Sequence, residues 1–283
     1  MTIANRALRR PMLAAAIFAA TTMLASAAHA QAWVARHGLS SQAYQAEFDK
    51  LVGQGYRLTH VSGYGVGGQD RYAAIWEKRG GPRWIARHGL SSAAYQAEFN
   101  KLVGQGYRLT QVSGYGVGGQ DRYAAIWEKR SGPQWVARHG LSSAAYQAEF
   151  NKLVGQGYRL THVSGYGVGG KDRYAAIWEK RSGPRWIARH GLSSAAYQAE
   201  FNKLVGQGYR LTHLSGYGVG GQDRYAAIWE KRGGPRWIAR HGLSSQGYQA
   251  EFNKLVGQGY RLTQVSGYGV AGSDRYAAIW EQR

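Results

Sequence analysis

Apolar and polar residues along the chain follow a pattern that changes period twice and then starts again every 51 residues. In its first copy, residues 33–83, a short run with apolar side chains on both faces (33–37) is ended by Gly38 and reads as a strand. Ser40 or Ser41 then stands where an N-cap belongs, ahead of Tyr44, Phe48, Leu51 and Val52 at helical spacing. This predicts a helix from about residue 41 to 53, with Gly55 as its stop. Gln45, Glu47 and Lys50 fall mostly off the apolar stripe, so the helix is amphipathic, with one wet face. Residues 56–66 alternate, with Tyr56, Leu58, His60, Ser62 and Tyr64 on one face and Arg57, Thr59 and Val61 on the other, which predicts a second strand. Gly67-Gly68-Gln69-Asp70 makes a turn into a third strand over 71–78, where Tyr72, Ala74 and Trp76 oppose Ala73 and Ile75.

The pattern returns with few changes from Trp84, Trp135, Trp186 and Trp237. A fixed period of this length marks a repeat architecture, in which each unit buries its apolar face against its neighbours. A Gly-Gly-Pro or Ser-Gly-Pro tripeptide turns the chain into each next Trp, so the third strand is expected to pair with the first strand of the following unit. Each end of the array then lacks a partner that the other end can supply. The first and last units are as apolar as the middle ones and leave no residues for caps. The fold class expected is α+β: a closed five-bladed, propeller-like toroid over 31–283, each blade with about three antiparallel strands and one outer helix.

Residues 1–30 read as a signal peptide, with Arg6, Arg9 and Arg10 ahead of an apolar run and the triplet Ala28-His29-Ala30 at a cleavage site. The run is short for a membrane span, which needs about 20 residues, and none follows it. The mature chain is therefore expected to be secreted or periplasmic, without a transmembrane segment, and a monomer. It has no Cys, so ten Trp and twenty Tyr must supply stability through packing. The formal charge is +20, or +17 without the three arginines before residue 30. That excess favours anionic partners such as lipid surfaces or acidic wall polymers, and export argues against nucleic acid. Equally, it keeps an exported protein soluble.

Differences between the copies show what each position tolerates. His60 is matched by Gln111, His162, His213 and Gln264, which a required metal ligand or base would not allow. Gly63-Tyr64-Gly65-Val66-Gly67-Gly68 has the form G-x-G-x-x-G, but a strand follows it where dinucleotide binding needs a helix, so it reads as a hairpin turn. Ser62, His37 and Asp70 offer the parts of a hydrolytic triad without a nucleophile elbow, and packing and turn roles fit them better. No catalytic residue, metal site or cofactor is assigned. What remains is an aromatic and basic set able to dock sugar rings or extended peptides. Trp33 and Trp76 read as core wedges. The binding-site assignment is Tyr64, taken to stand in a glycine-rich loop, with His60 and Arg71, and their equivalents Tyr115, Gln111 and Arg122; Tyr166, His162 and Arg173; Tyr217, His213 and Arg224; and Tyr268, Gln264 and Arg275. Glu77 is expected to pair with an arginine such as Arg36 or Arg57.

In every copy the chain carries Trp-Val/Ile-Ala-Arg-His-Gly-Leu, Gly-Tyr-Arg-Leu and Arg-Tyr-Ala-Ala-Ile-Trp-Glu, with Tyr-Gln-Ala-Glu-Phe between the first two. With these motifs it resembles the bacterial tandem-repeat domain related to the Trp-rich N-terminal region of polyglycine hydrolases. In those enzymes the repeat region precedes a β-lactamase-like serine hydrolase domain and is thought to assist substrate recognition. No Ser-x-x-Lys occurs here, so the resemblance implies a binding or scaffold module rather than the hydrolase activity. The expected function is non-catalytic binding of an extracellular glycan, cell-wall polymer or Gly-rich peptide at repeated sites. The alternatives are a hydrolase-associated module or serine-hydrolase-like enzyme, and a scaffold for protein partners.

Overall fold

The computed structural model describes residues 33–282, so the signal peptide expected over 1–30 lies outside the described residues. In the first unit β1 spans Trp33–Ser40, α1 Ser41–Gly53, β2 Arg57–Val66 and β3 Gln69–Glu77. The other four units repeat this order. Among the described residues no helix is long and apolar enough to cross a membrane.

The helix starts where expected because Ser40 is extended and its hydroxyl accepts the Ala43 N–H at 3.2 Å. It ends where the Gln54 N–H closes on the Lys50 and Leu51 carbonyls and Gly55, at φ 83°, turns the chain away. Tyr44 and Leu51 form its buried stripe. The β2–β3 hairpin is tighter than a four-residue turn. Val66 pairs with Gln69, and Gly67 and Gly68 at φ 58° and 76° form the two-residue loop whose twist matches the strands.

Strand pairing corrects one expectation. Each sheet lies within its own unit, in the order β1-β3-β2; none is shared between units and none closes on itself. Glu77 of β3 stands opposite both Trp33 and Arg57. The reason is the crossover: α1 carries the chain over the sheet, so β1 and β2 run parallel with a gap between them. The tight hairpin drops β3 into that gap. The linker after β3 then only delivers the chain to the next unit.

A second correction concerns the faces of β2. Leu58 pairs with Trp76 and His60 with Ile75, so Thr59 is an extra residue. Its hydroxyl donates to the Ile75 carbonyl at 3.2 Å. The bulge shifts the alternation, and Leu58 shares a core with Val61, Tyr72, Ala74 and Trp76, under Tyr44 and Leu51 of the helix. Tyr64, Ala73 and Ile75 belong to a different core, built with Tyr248, Leu255 and Trp280 of unit five.

Every sheet is thus buried on both faces, one beneath its own helix and the other against the preceding unit. Five such cores exist, each joining two units, and one of them joins unit five to unit one. At the centre of each sits a fully buried Trp such as Trp76, worth on the order of 4–6 kcal/mol of apolar burial by area. Neighbours are also tied by arginine. Arg57 pairs with Glu128 at 2.8 Å, Arg108 with Glu179, Arg159 with Glu230, Arg210 with Glu281 and Arg261 with Glu77. Glu77 therefore does pair with an Arg57-type residue, but one from the adjacent unit. Arg36 turns instead to Glu47 at 3.0 Å.

Candidate functional site

The β2 strands of all five units converge. Ser62, Gly63, Tyr64 and Gly65, with the same positions of the other units, line one cavity of about 60 Å³. That is room for about two waters, far less than a sugar ring. A smaller one of about 20 Å³ is lined by positions 60 to 62 and shares the serines. Each serine ties two units together: the Gly63 N–H donates to Ser113 at 3.0 Å, and the other four boundaries repeat this bond, Gly267 donating to Ser62 among them.

Glycine is required at this convergence. A Cβ on Gly65 would lie 2.1 Å from the Gly116 carbonyl oxygen, and one on Gly63 would lie 2.4 Å from the Tyr115 ring. The Gly-Tyr-Gly segment is therefore strand, not loop, and its rings are not free. Tyr64 is 2% exposed. Its hydroxyl meets that of Tyr276 at 2.7 Å, and Tyr276 donates to Asp274 at 3.0 Å. Tyr115, Tyr166, Tyr217 and Tyr268 are buried in the same way against the tyrosines at positions 72, 123, 174 and 225. Burial pushes every one of these phenols up, beyond any physiological titration.

The three positions assigned to each binding site do not share one surface. Tyr64 and Arg71 are opposite each other on β2 and β3, but His60 is opposite Ile75 at the smaller cavity. Arg71 is held at the hairpin by the Asp70 carbonyl and the Gln69 amide oxygen, each at 3.1 Å. His60 bonds the Val265 carbonyl at 2.7 Å and receives Gln111 Nε2 on its other nitrogen at 2.6 Å. His162, His213 and Gln264 likewise bond main-chain carbonyls of the preceding unit. Burial pushes His60 and His213 down to about 4 and His162 well below its usual value. These side chains act as neutral clasps between strands, which explains why Gln substitutes for His.

The parts of the hydrolytic triad are dispersed. Ser62 bonds the Gly267 main chain, Asp70 accepts from Tyr72, and His37 packs edge-on against Tyr248 and Tyr276 of unit five. One serine does approach a histidine: Ser143, at a helix start, lies 3.3 Å from His190 Nε2 of the next unit. Among the described residues no carboxylate forms an ion pair with that imidazole, and no group of three or more His, Cys, Asp or Glu could hold a metal ion.

Larger spaces lie at the unit boundaries, where the helix of one unit faces the first strand of the next. Tyr95, Gln96 and Phe99 face Ala137, Arg138 and His139 across a groove of about 240 Å³. Tyr248, Gln249 and Phe252 face Ala35, Arg36 and His37 across one of about 300 Å³. The ring pairs beside these grooves recur at all five boundaries. A Tyr meets a His edge-on at 4.7–4.8 Å, and a Phe meets the half-buried Trp at 5.7–5.8 Å. The glutamine amide bonds one turn along its helix, as Gln96 does to Asn100 at 2.8 Å. The guanidinium crosses to its own helix glutamate and caps the Ala35-type carbonyl at 3.0 Å. Sequence reasoning put Gln45 on the wet face of the helix and Phe48 on its apolar stripe, and assigned neither to a site. Their signal was their place one and four residues after Tyr44 on the helix.

The groove residues and the buried Gly-Tyr-Gly strands recur with the repeat, and so does the match to known proteins. The family model for the polyglycine hydrolase-like structural repeat matches residues 30–79, 81–130, 132–181, 183–232 and 234–283. The chain belongs to that family, as five tandem copies of its repeat.

Proposed function

We propose that this chain is a secreted, non-catalytic binding module whose five units close into a toroid and hold an extended extracellular polymer in the grooves around its rim. The core and ion pair between units five and one, of the same make as those elsewhere, support closure. The observation that carries the binding reading is the groove itself: half-buried Phe and His rings, an amide and a guanidinium face one another at two boundaries, and the same residues recur at the other three, the chemistry that docks a sugar ring by stacking and hydrogen bonding. A glycan or cell-wall polymer is the ligand class this favours. The family's name favours a Gly-rich peptide as the second reading. Each groove is shallow and its affinity modest, but linked sites raise avidity by about 100- to 10,000-fold.

The test is sedimentation of the mature chain with purified peptidoglycan sacculi across a salt series. It is repeated with Gln45, Gln96, Gln147, Gln198 and Gln249 changed to Ala, which removes one groove amide per boundary. Salt-resistant binding that is lost in the variant, with thermal stability retained, supports the reading. Binding unaffected by the change would move the ligand out of the grooves, and binding abolished by moderate salt would reduce it to charge.

A further inference from the structure

Charge is not spread evenly over the molecule. β3 ends at Glu77, opposite the starts of β1 and β2, so the linker 78–83, Arg57 and Trp33 all lie at one end of the unit. The Arg–Glu pairs between neighbours join these ends through all five units, the pair of Arg261 with Glu77 included. Arg57, Lys78, Arg79, Arg83 and their equivalents place sixteen cations there against five glutamates, a net of +11 among the described residues. Those glutamates are already engaged: Glu77 holds Arg261 through one oxygen and Arg79 through the other. Among the described residues Lys78 and Arg83 make no ion pair, and the linker is exposed along its length. Beside it, the half-buried Trp84 begins the next first strand directly after Pro82 and Arg83.

We infer that this end is a docking face for an anionic lipid bilayer. Its charge is complementary to phosphate headgroups, and cations close to such a surface add their attractions. A planar surface meets all four linkers at once, whereas a single linear polyanion would have to wind past each in turn. Half-buried tryptophans at the lip suit the headgroup boundary, where amphipathic rings accumulate. The face is distinct from the rim grooves, so this inference stands or falls independently of polymer binding there.

The probe is co-sedimentation of the mature chain with vesicles of phosphatidylglycerol and phosphatidylcholine, compared with phosphatidylcholine alone, at low and physiological ionic strength. Two variants remove the same charge from different places. One changes Lys78, Lys129, Lys180 and Lys231 to Gln at the linkers; the other changes Lys50, Lys101, Lys152 and Lys203 to Gln on the helices. We expect binding only to the anionic vesicles, weakened about tenfold or more by the linker variant and less than about threefold by the helix variant. Changing the four linker lysines to Arg should keep binding, which separates charge from damage to the fold. No partition of the wild-type chain at low salt would overturn the inference, as would equal losses in the two Gln variants. Tighter binding of soluble linear polyphosphate than of vesicles, with the same dependence on the linker lysines, would also overturn it.

Discussion

Tyr64 and Tyr276 stand 212 positions apart in the chain, yet their hydroxyls meet at 2.7 Å, the same distance at which Tyr115 meets Tyr72 only 43 positions away. The two bonds provide a matched pair for asking whether units one and five stay together in solution. Tyr115→Phe should cost about 1 kcal/mol, a fall of about 2–4 °C in thermal midpoint. Tyr64→Phe should cost the same. A silent Tyr64→Phe beside a costly Tyr115→Phe would mean that the first and fifth units are not in contact.

Glycine substitutions should separate by location rather than by secondary structure. Gly65→Ala brings a methyl against the Gly116 carbonyl oxygen and should cost about 3 kcal/mol, because main chain rather than a side-chain tip must yield. Gly53→Ala, at the last turn of α1 with nothing near the added methyl, should instead stabilise by about 0.5–1 kcal/mol. Thermal melts of the two single variants decide this, and a Gly65→Ala protein as stable as the wild type would contradict the close approach of the strands.

Those glycines also show what the sequence revealed and what it hid. The helix was legible to within a residue, because Ser40 and Gly55 act locally on the atoms next to them. The third strand was legible as a strand, but its partners were not, since a period of two says nothing about which neighbour is paired. Tyr64 was misplaced for a similar reason. The groups that bury it belong to unit five, and along the chain its flanking glycines look like a flexible loop. Their clue was their spacing: Gly63 and Gly65 alternate with the ring, as cleared positions on one strand face must. The groove residues on the helix lay in plain view, but only the neighbouring unit gives them a facing wall.

Acid should loosen the molecule. His60 and His213 hold a proton in the folded chain only near pH 4, whereas in the unfolded chain they take it up near 6.5. Between these values the unfolded state binds more protons, so the stability present above pH 6.5 is lost as pH falls towards 4. Each of the two accounts for on the order of 3 kcal/mol over that window. His162 acts with the same sign, as do the half-buried His37 and its equivalents. Replacing His60, His162 and His213 with Gln, which already serves at Gln111 and Gln264, should flatten most of the fall. Melting temperatures at pH 7, 5.5 and 4 test it, and an unchanged slope in the triple variant would rule these clasps out as its source.

The fifth hairpin has Ala271 at φ 49°, where the other four carry glycine. An L side chain is strained there, so Ala271→Gly should stabilise by about 1 kcal/mol. A melt of the single variant reads the effect directly. No change would indicate that the loop relaxes around the methyl.

Because each three-stranded sheet is completed inside its own 51-residue segment, the stretch that a gene duplication copies is also a stretch that can settle its own main-chain pairing. An added copy would arrive with its three strands already paired to one another and would need neighbours only for its two faces. Had the strands been exchanged across boundaries, every duplication would have begun with a strand lacking its central partner. Near-identical copies can therefore accumulate in one reading frame as self-paired sheets, each stacked on its neighbours.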